Sequence, residues 1–467
     1  MPNKLSACTS ILIGKKASID GSIMIGRNED AKAAWPKHMV VHPHGAVPRK
    51  FVSKETKLEI ELPDDSARYS ATPEWTDKYG LFEEDGINEY NVAMSATESA
   101  YSNSLVLGAD PLVKNGLNEE AMVTVVLPFV KTAREGVLRL GNLIAKYGTG
   151  ETNGVLFADD NEAWYFESGA GHYWVAQRIP DDCYAVVANQ LAIQEIDFND
   201  PNNFMFHPGI REFVEKNHLN PDPTTFNFRK IFGTADQSDA IYSEPRVWIG
   251  HQMFSSHQAK GETPESTELP FLMKPDRLLS VIDAQNYLSN HYEGTGFDPL
   301  TNSPSAHKYR PISLAKTQES HILQTGRKGP DIHWLAMGVA NESTYVPFFN
   351  GITKLPAAYG RGKLPAQLNS AYWIFKHASV LVDSHLHDFL PLLRDVQKER
   401  NAAAQKLIRE TDNKAAALQG DALTDYLNDQ SDKFANDTLT AYRNLAMELI
   451  TKMTDYCELN FKTDENL

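Results

Sequence analysis

The sequence predicts an α/β (α+β) protein: a layered sandwich of antiparallel strands and helices, not a doubly wound parallel sheet. Three observations lead there. The chain opens with two short β-prone runs, residues 9–13 and 22–26, around an Asp20-Gly21 turn. Residues 118–192 read as two helices followed by four strands with short turns. From about residue 366 onward the pattern is helical.

The opening stretch organises the rest. It runs C-T-S-I-L-I-G-K-K-A-S-I-D-G-S-I-M-I-G-R-N-E-D from Cys8 to Asp30. Asp-Gly between apolar runs marks a hairpin, because Gly takes the positive φ such turns require. A hairpin folded near Ala17 and Ser18 sets Cys8 opposite Arg27 and Asn28, with Asp30 just beyond. A guanidinium beside a thiol favours the thiolate, the nucleophilic form. The same residues also read as a small buried thiol and a surface ion pair. Position favours the reactive reading: seven residues precede Cys8, so a cut after Ala7 makes it an amino terminus. A free α-amino group, with a pKa of roughly 7.7–8.0, then serves as base for its own side chain.

Residues 31–76, rich in Pro, Lys and His, read as loops over a sheet edge with one strand at 58–62. His42 and His44 stand in sequence without companion acids or cysteines and read as surface residues, not a metal site. Val92, Met94 and Ala96 alternate within residues 79–98, which predicts an inner strand. Asn118-Glu-Glu opens a helix, and Thr132-Ala-Arg-Glu135 is a capping box for a second that stops at Gly148. Strands at 155–158, 163–167, 173–177 and 184–188 form a meander that leads into Asn189. Residues 197–228 read as a polar insertion and 280–292 as a helix. Residues 291–299 form a Gly-rich loop without the G-K-[ST] ending of a phosphate loop. Strands at 322–325, 333–338 and 343–348 complete a second sheet, and 354–365 is a linker. In the helical tail, Ala435, Leu439, Tyr442, Ala446, Leu449, Met453 and Tyr456 step by four and three, an amphipathic stripe read as core packing.

At 467 residues the chain suits two or three average domains, or one large unit with appendages. A net charge of −16 argues against nucleic acid or anionic membrane as partner. Cys8, Cys183 and Cys457 are spaced for neither a disulfide framework nor zinc, which suits a reducing cytosol. Cys457 reads as structural. Met1 to Lys4 cannot supply the apolar segment of a secretory signal. No run approaches the roughly 20 apolar residues of a membrane span. A cytoplasmic location is expected.

Cys8 near the amino terminus, followed by Gly26-Arg-Asn-Glu-Asp30, resembles the N-terminal nucleophile hydrolases of the choloylglycine hydrolase superfamily. Gly86-Ile-Asn-Glu-Tyr-Asn-Val-Ala-Met-Ser95, Ala188-Asn-Gln190, Tyr242-Ser-Glu-Pro-Arg-Val-Trp248 and His291-Tyr-Glu-Gly-Thr295 are similar to segments of its dipeptidase A branch, peptidase family C69. The resemblance runs from Cys8 to about Phe349. It implies a four-layer αββα sandwich over residues 8–353 and a short propeptide at 1–7; the helical segment at 366–467, read from its own pattern, is expected to pack on that sandwich. It also implies roles. Cys8 is the nucleophile, Arg27 keeps its thiolate available, and Asp30 accepts a hydrogen bond from the α-amino group. Asn189 is the oxyanion donor, Arg246 sits near the nucleophile, and Thr97 faces the substrate carbonyl where some relatives carry Asn. The implied substrates are dipeptides with a free N-terminus and varied side chains, with no metal or organic cofactor; a homo-oligomer is expected. Two other activities fit the same resemblance: an amide acylase of bile-salt or penicillin V type, and a catalytically silent interaction protein like the eukaryotic secernins. A Cys–His pair remains a rival for the nucleophile, although no signature around Cys8 supports it.

Overall fold

The computed structural model describes residues 8–456 except 99, 235 and 238. The propeptide expected at residues 1–7 and the structural role read for Cys457 lie outside the described residues. Two antiparallel sheets stand face to face. The first holds seven strands in the order Leu272–Met273, Tyr184–Val187, Thr9–Ile13, Ile23–Asp30, Thr317–Thr325, Ile332–Met337 and Val346–Phe349. The second holds six: Phe204–Phe206, Trp174–Ile179, Ala163–Ser168, Asn153–Ala158, Ala93–Glu98 and Asp85–Ile87.

Period-two alternation sorts the apolar residues of each strand into two cores. Leu12, Ile23, Ile25 and Leu323 of the first sheet pack between the sheets with Leu156, Ala158, Tyr165 and Val175 of the second. Ile11, Ile13, Met24, Ile322 and Trp334 face the other way, toward the helices Glu244–Phe254, Val281–Leu288 and the C-terminal group. On the far face of the second sheet, helices Glu119–Val126 and Ala133–Tyr147 bury Val123, Val137, Leu140 and Ile144 against Met94, Phe157 and Trp164. The order of layers is therefore helix, sheet, sheet, helix. The C-terminal helices Ala371–Ser384, Leu386–Ala415 and Gly420–Met453 add Phe375, Leu439, Tyr442 and Leu449 to the first sheet's outer core. The amphipathic stripe is buried as far as Leu449; Tyr456, at its end, is 44% exposed.

Several expectations need correction. In the N-terminal hairpin Thr9 pairs with Asn28 and Ser10 with Arg27, so the register carried back one step sets Cys8 against Glu29. Asp20 fixes that turn, its Oδ1 accepting from Ser18 Oγ at 3.0 Å and from Ser22 N at 3.1 Å. Residues 79–98 hold two short strands, not one. They turn where Asn88 Oδ1 accepts from Tyr90 N and Val92 N, and where Asn91 adopts φ 62°. Only three of the four meander strands stay together. The fourth, Tyr184–Val187, crosses to the first sheet and pairs with Thr9–Ile13. Gly14 permits that crossing: a Cβ there would lie 2.5 Å from the Pro180 carbonyl oxygen. The insertion at 197–228 is partly ordered, with a sheet-edge strand, Phe204–Phe206, and a helix, Ile210–Lys216. His42 and His44 do acquire acidic companions in space, Glu83 and Glu89, each at 2.6 Å.

Candidate active site

Cys8 immediately precedes a central strand of the first sheet and is 3% exposed. Its Sγ accepts a hydrogen bond from Arg27 Nη1 at 3.3 Å and donates to Glu29 Oε2 at 3.5 Å. Arg27 and Glu29 lie two apart on one strand and so share its inner face. The buried Arg27 guanidinium is fully engaged. Nε donates to Ser95 Oγ at 2.9 Å, Nη1 also pairs with Glu29, and Nη2 reaches Glu84 Oε2 at 2.8 Å. Lys37 Nζ holds the other Glu84 oxygen at 2.5 Å.

This surrounding corrects the expected thiolate. Burial pushes the Cys8 thiol well up, Glu29 adds to the rise, and Arg27 only opposes it. The guanidinium is already shared between two carboxylates, so it cannot hold the sulfur as an anion. These effects favour the neutral thiol, whose proton a base must take.

On the other side of Cys8 stands Arg246, wholly buried near the start of the helix Glu244–Phe254. Nη1 donates to the Cys8 carbonyl oxygen at 2.7 Å and to Thr9 Oγ1 at 2.9 Å. Nη2 donates to Asn189 Oδ1 at 2.7 Å. Burial first, and the neighbouring Arg310 second, bring Arg246 down to about 10. Because Arg246 fixes the acceptor end of the Asn189 amide, Nδ2 points away, buried and with no partner among the described residues. An orphaned buried donor is costly unless a ligand or intermediate completes it.

Thr97 Oγ1 is also buried without a partner among the described residues, two residues beyond Ser95 and on the same face of its strand. Asp30 accepts from Thr317 Oγ1 and pairs with Arg310. Burial raises its pKa, with Arg310 as the main opposing charge.

The structure thus brings Cys8, Arg27, Asn189 and Arg246 into one bonded group. It adds residues that the sequence reading missed. Ser95 passes the network to His321, whose Nε2 lies 2.9 Å from Ser95 Oγ and whose Nδ1 lies 3.0 Å from both Glu319 Oε1 and Asp85 Oδ2. His333 Nε2 follows at 3.1 Å from Asp85 Oδ2. Burial brings His321 down to about 4, so it is neutral. Asp85, despite its own burial, is held well below the usual carboxylate range by His321 and His333. Glu29 was visible inside Gly26–Asp30, and the hairpin register marks it. The sequence marks Glu119, whose carboxylate lies within 4.8 Å of those of Glu29 and Glu84, only as a helix opener. Lys37, Glu84 and Arg310 come from loops with no local signal.

A family model described as peptidase family C69 matches residues 7–399. A probable dipeptidase of Latilactobacillus sakei is 46% identical over 474 residues, covering 99% of this chain and 99% of its own. Dipeptidase A of Lactobacillus helveticus is 36% identical over 467 residues, covering 97% of each. A solved structure, penicillin V acylase from Agrobacterium tumefaciens, aligns with 74% of this chain and 87% of its own at 14% identity and a TM-score of 0.35, too loose a likeness to bear on the reaction.

Proposed function

The chain belongs to peptidase family C69, and on that premise we propose that it hydrolyses the amide bond of dipeptides, with broad side-chain tolerance, through a thioester on Cys8. The observation that carries the reading is the unpartnered Nδ2 of Asn189, aimed by the same Arg246 that grips the Cys8 carbonyl. No helix among the described residues is long and apolar enough to cross a membrane. The reading adds a cytoplasmic setting, supported by the cysteine spacing.

Removal of residues 1–7 frees the Cys8 amine, and Asp30 orients it. The amine takes the Sγ proton, which burial otherwise holds in place. Sγ then bonds to the substrate carbonyl carbon. Charge gathers on the carbonyl oxygen, where Asn189 Nδ2 donates and Thr97 faces it. The intermediate collapses, the C–N bond breaks, and the Cys8 ammonium passes its proton to the leaving amine. The first residue remains as a thioester. A water gives a proton to the amine and attacks; the C–S bond breaks, the proton returns to sulfur, and a free amino acid leaves. Arg27 balances charge developing on sulfur, and Arg246 keeps Asn189 and the Cys8 backbone in place. No step uses a metal or organic cofactor.

The test offers purified protein a panel of dipeptides alongside glycine-conjugated bile acids and penicillin V, with products read by mass spectrometry. Turnover of the dipeptides is expected. Turnover of a conjugate or of penicillin V, with the dipeptides left intact, overturns the dipeptidase reading.

A further inference from the structure

Beside Cys8 lies a set of carboxylates that none of the steps above uses. One oxygen from each of Glu29, Glu84 and Glu119 falls within 4.8 Å of the others, and all three residues are buried. The members differ in how they are satisfied. Glu84 is held by Arg27 at 2.8 Å and Lys37 at 2.5 Å, and Glu29 is held by Arg27. Glu119, only 8% exposed in the first turn of the helix Glu119–Val126, has Oε1 buried with no partner among the described residues. Two cations therefore answer two of the carboxylates, and the third has no cation bonded to it among the described residues.

The covalent geometry of a peptide says which group fits. In a dipeptide the α-nitrogen lies about 2.5 Å from the carbonyl carbon that the thiol attacks, two bonds away. A substrate ammonium must therefore sit within a few ångströms of Sγ, and Glu29 is already 3.5 Å from it. We propose that Glu119, with Glu29 beside it, receives the α-ammonium of the substrate and so restricts the enzyme to peptides with a free amino terminus. This inference rests on the dipeptidase reading and goes one step further, to the group that selects the substrate.

The electrostatics of the cluster fit such an exchange. Burial, together with Glu84 and Glu29, pushes the Glu119 carboxyl well up against the opposing Arg27, which favours its protonated form. With Glu119 neutral, Arg27 and Lys37 balance Glu29 and Glu84. Entry of the ammonium replaces the Glu119 proton, which leaves to solvent, and net charge is unchanged.

The test compares alanyl-alanine with propionyl-alanine, which lacks only the amino group, in the wild type, Glu119→Gln and Glu119→Asp. Each preparation is checked by intact mass and by alkylation of Cys8 with iodoacetamide. The wild type is expected to prefer alanyl-alanine in kcat/KM by about 100-fold or more, as sites built to pair a polar group do. Glu119→Gln should lose at least about tenfold of that preference, mostly through KM, while Cys8 is processed and alkylated normally. Glu119→Asp should restore part of it. An unchanged preference in Glu119→Gln, with dipeptides still cleaved, overturns this inference and leaves the dipeptidase reading standing. A kcat loss of equal size on both substrates assigns the cluster to the Cys8 ammonium and also overturns it. Wild-type activity that depends on added Mn²⁺ and is abolished by EDTA, with that dependence lost in Glu119→Gln, assigns the cluster to a metal, with the same consequence. A wild type that cleaves no dipeptide overturns both readings.

Discussion

Replacing Asn189 by Asp tests the chemistry with little change of shape. Asn189 is 1% exposed, and its Oδ1 accepts from Arg246 at 2.7 Å while Nδ2 has no partner among the described residues. Aspartate keeps the acceptor for Arg246 and turns the free donor into an acceptor. A side-chain donor on a developing oxyanion is worth about 100- to 1,000-fold in kcat, about 2.7–4 kcal/mol. Asn189→Asp should lose at least that much, because it also sets a negative charge where the oxyanion forms. Asn189→Ala should lose a similar factor and should also be destabilised by about 1–3 kcal/mol, since it leaves a buried Arg246 N–H unpaired. Turnover of alanyl-alanine, normalised to the fraction of chains beginning at Cys8, and thermal unfolding of each variant measure the two effects. The diagnostic outcome is an Asn189→Asp protein that unfolds like the wild type and barely turns over. An Asn189→Asp protein whose kcat stays within about tenfold of wild type would refute the assignment of the oxyanion donor.

Three further outcomes are expected. Glu167, whose oxygens accept from Ala192 N at 2.6 Å and Ile193 N at 3.0 Å just beyond Asn189, is raised by burial to about 8. Between the unfolded carboxyl range near 4.3 and that value the folded chain keeps a proton that the unfolded chain releases, so stability falls as pH rises through the window. Glu167→Gln removes that loss, a few kcal/mol at about 1.36 per pH unit; denaturant titrations at about pH 5 and pH 8 that differ equally in both proteins would contradict this. Gly86 has no space for a side chain, since a Cβ would lie 1.9 Å from the Ser70 carbonyl oxygen, so Gly86→Ala should lower stability by about 1–3 kcal/mol, read by thermal unfolding. EDTA should leave turnover unchanged; a loss restored by a divalent cation in Glu119→Gln as well as in the wild type would shift attention to the cluster of Asp85, Glu319 and His321.

The parts of the site that local pattern encodes were legible in the sequence. The Asp20-Gly21 turn brings residues 8 and 27 together, and a strand's end delivers Asn189. The error of register at Cys8 had a physical source: a one-step slip in a hairpin changes which residue lies opposite, and here it hid Glu29. The crossing of Tyr184–Val187 to the other sheet depends on the tight approach at Gly14, which periodicity does not record. Lys37, Glu84, Ser95 and His321 meet Arg27 or its partners across the two sheets, and no spacing rule links them. The expected thiolate failed for a related reason: the sequence displays a cation near a thiol, whereas its effect depends on how many carboxylates share that cation.

The central claim is that Cys8 acts as an amino-terminal nucleophile. The most direct measurement is the intact mass of freshly expressed wild type and Cys8→Ala, taken beside alanyl-alanine turnover. Loss of residues 1–7 from the wild type, together with turnover that Cys8→Ala lacks, is the expected result. Turnover by a wild type that retains those seven residues would contradict the claim, because no free amine would then stand beside the thiol.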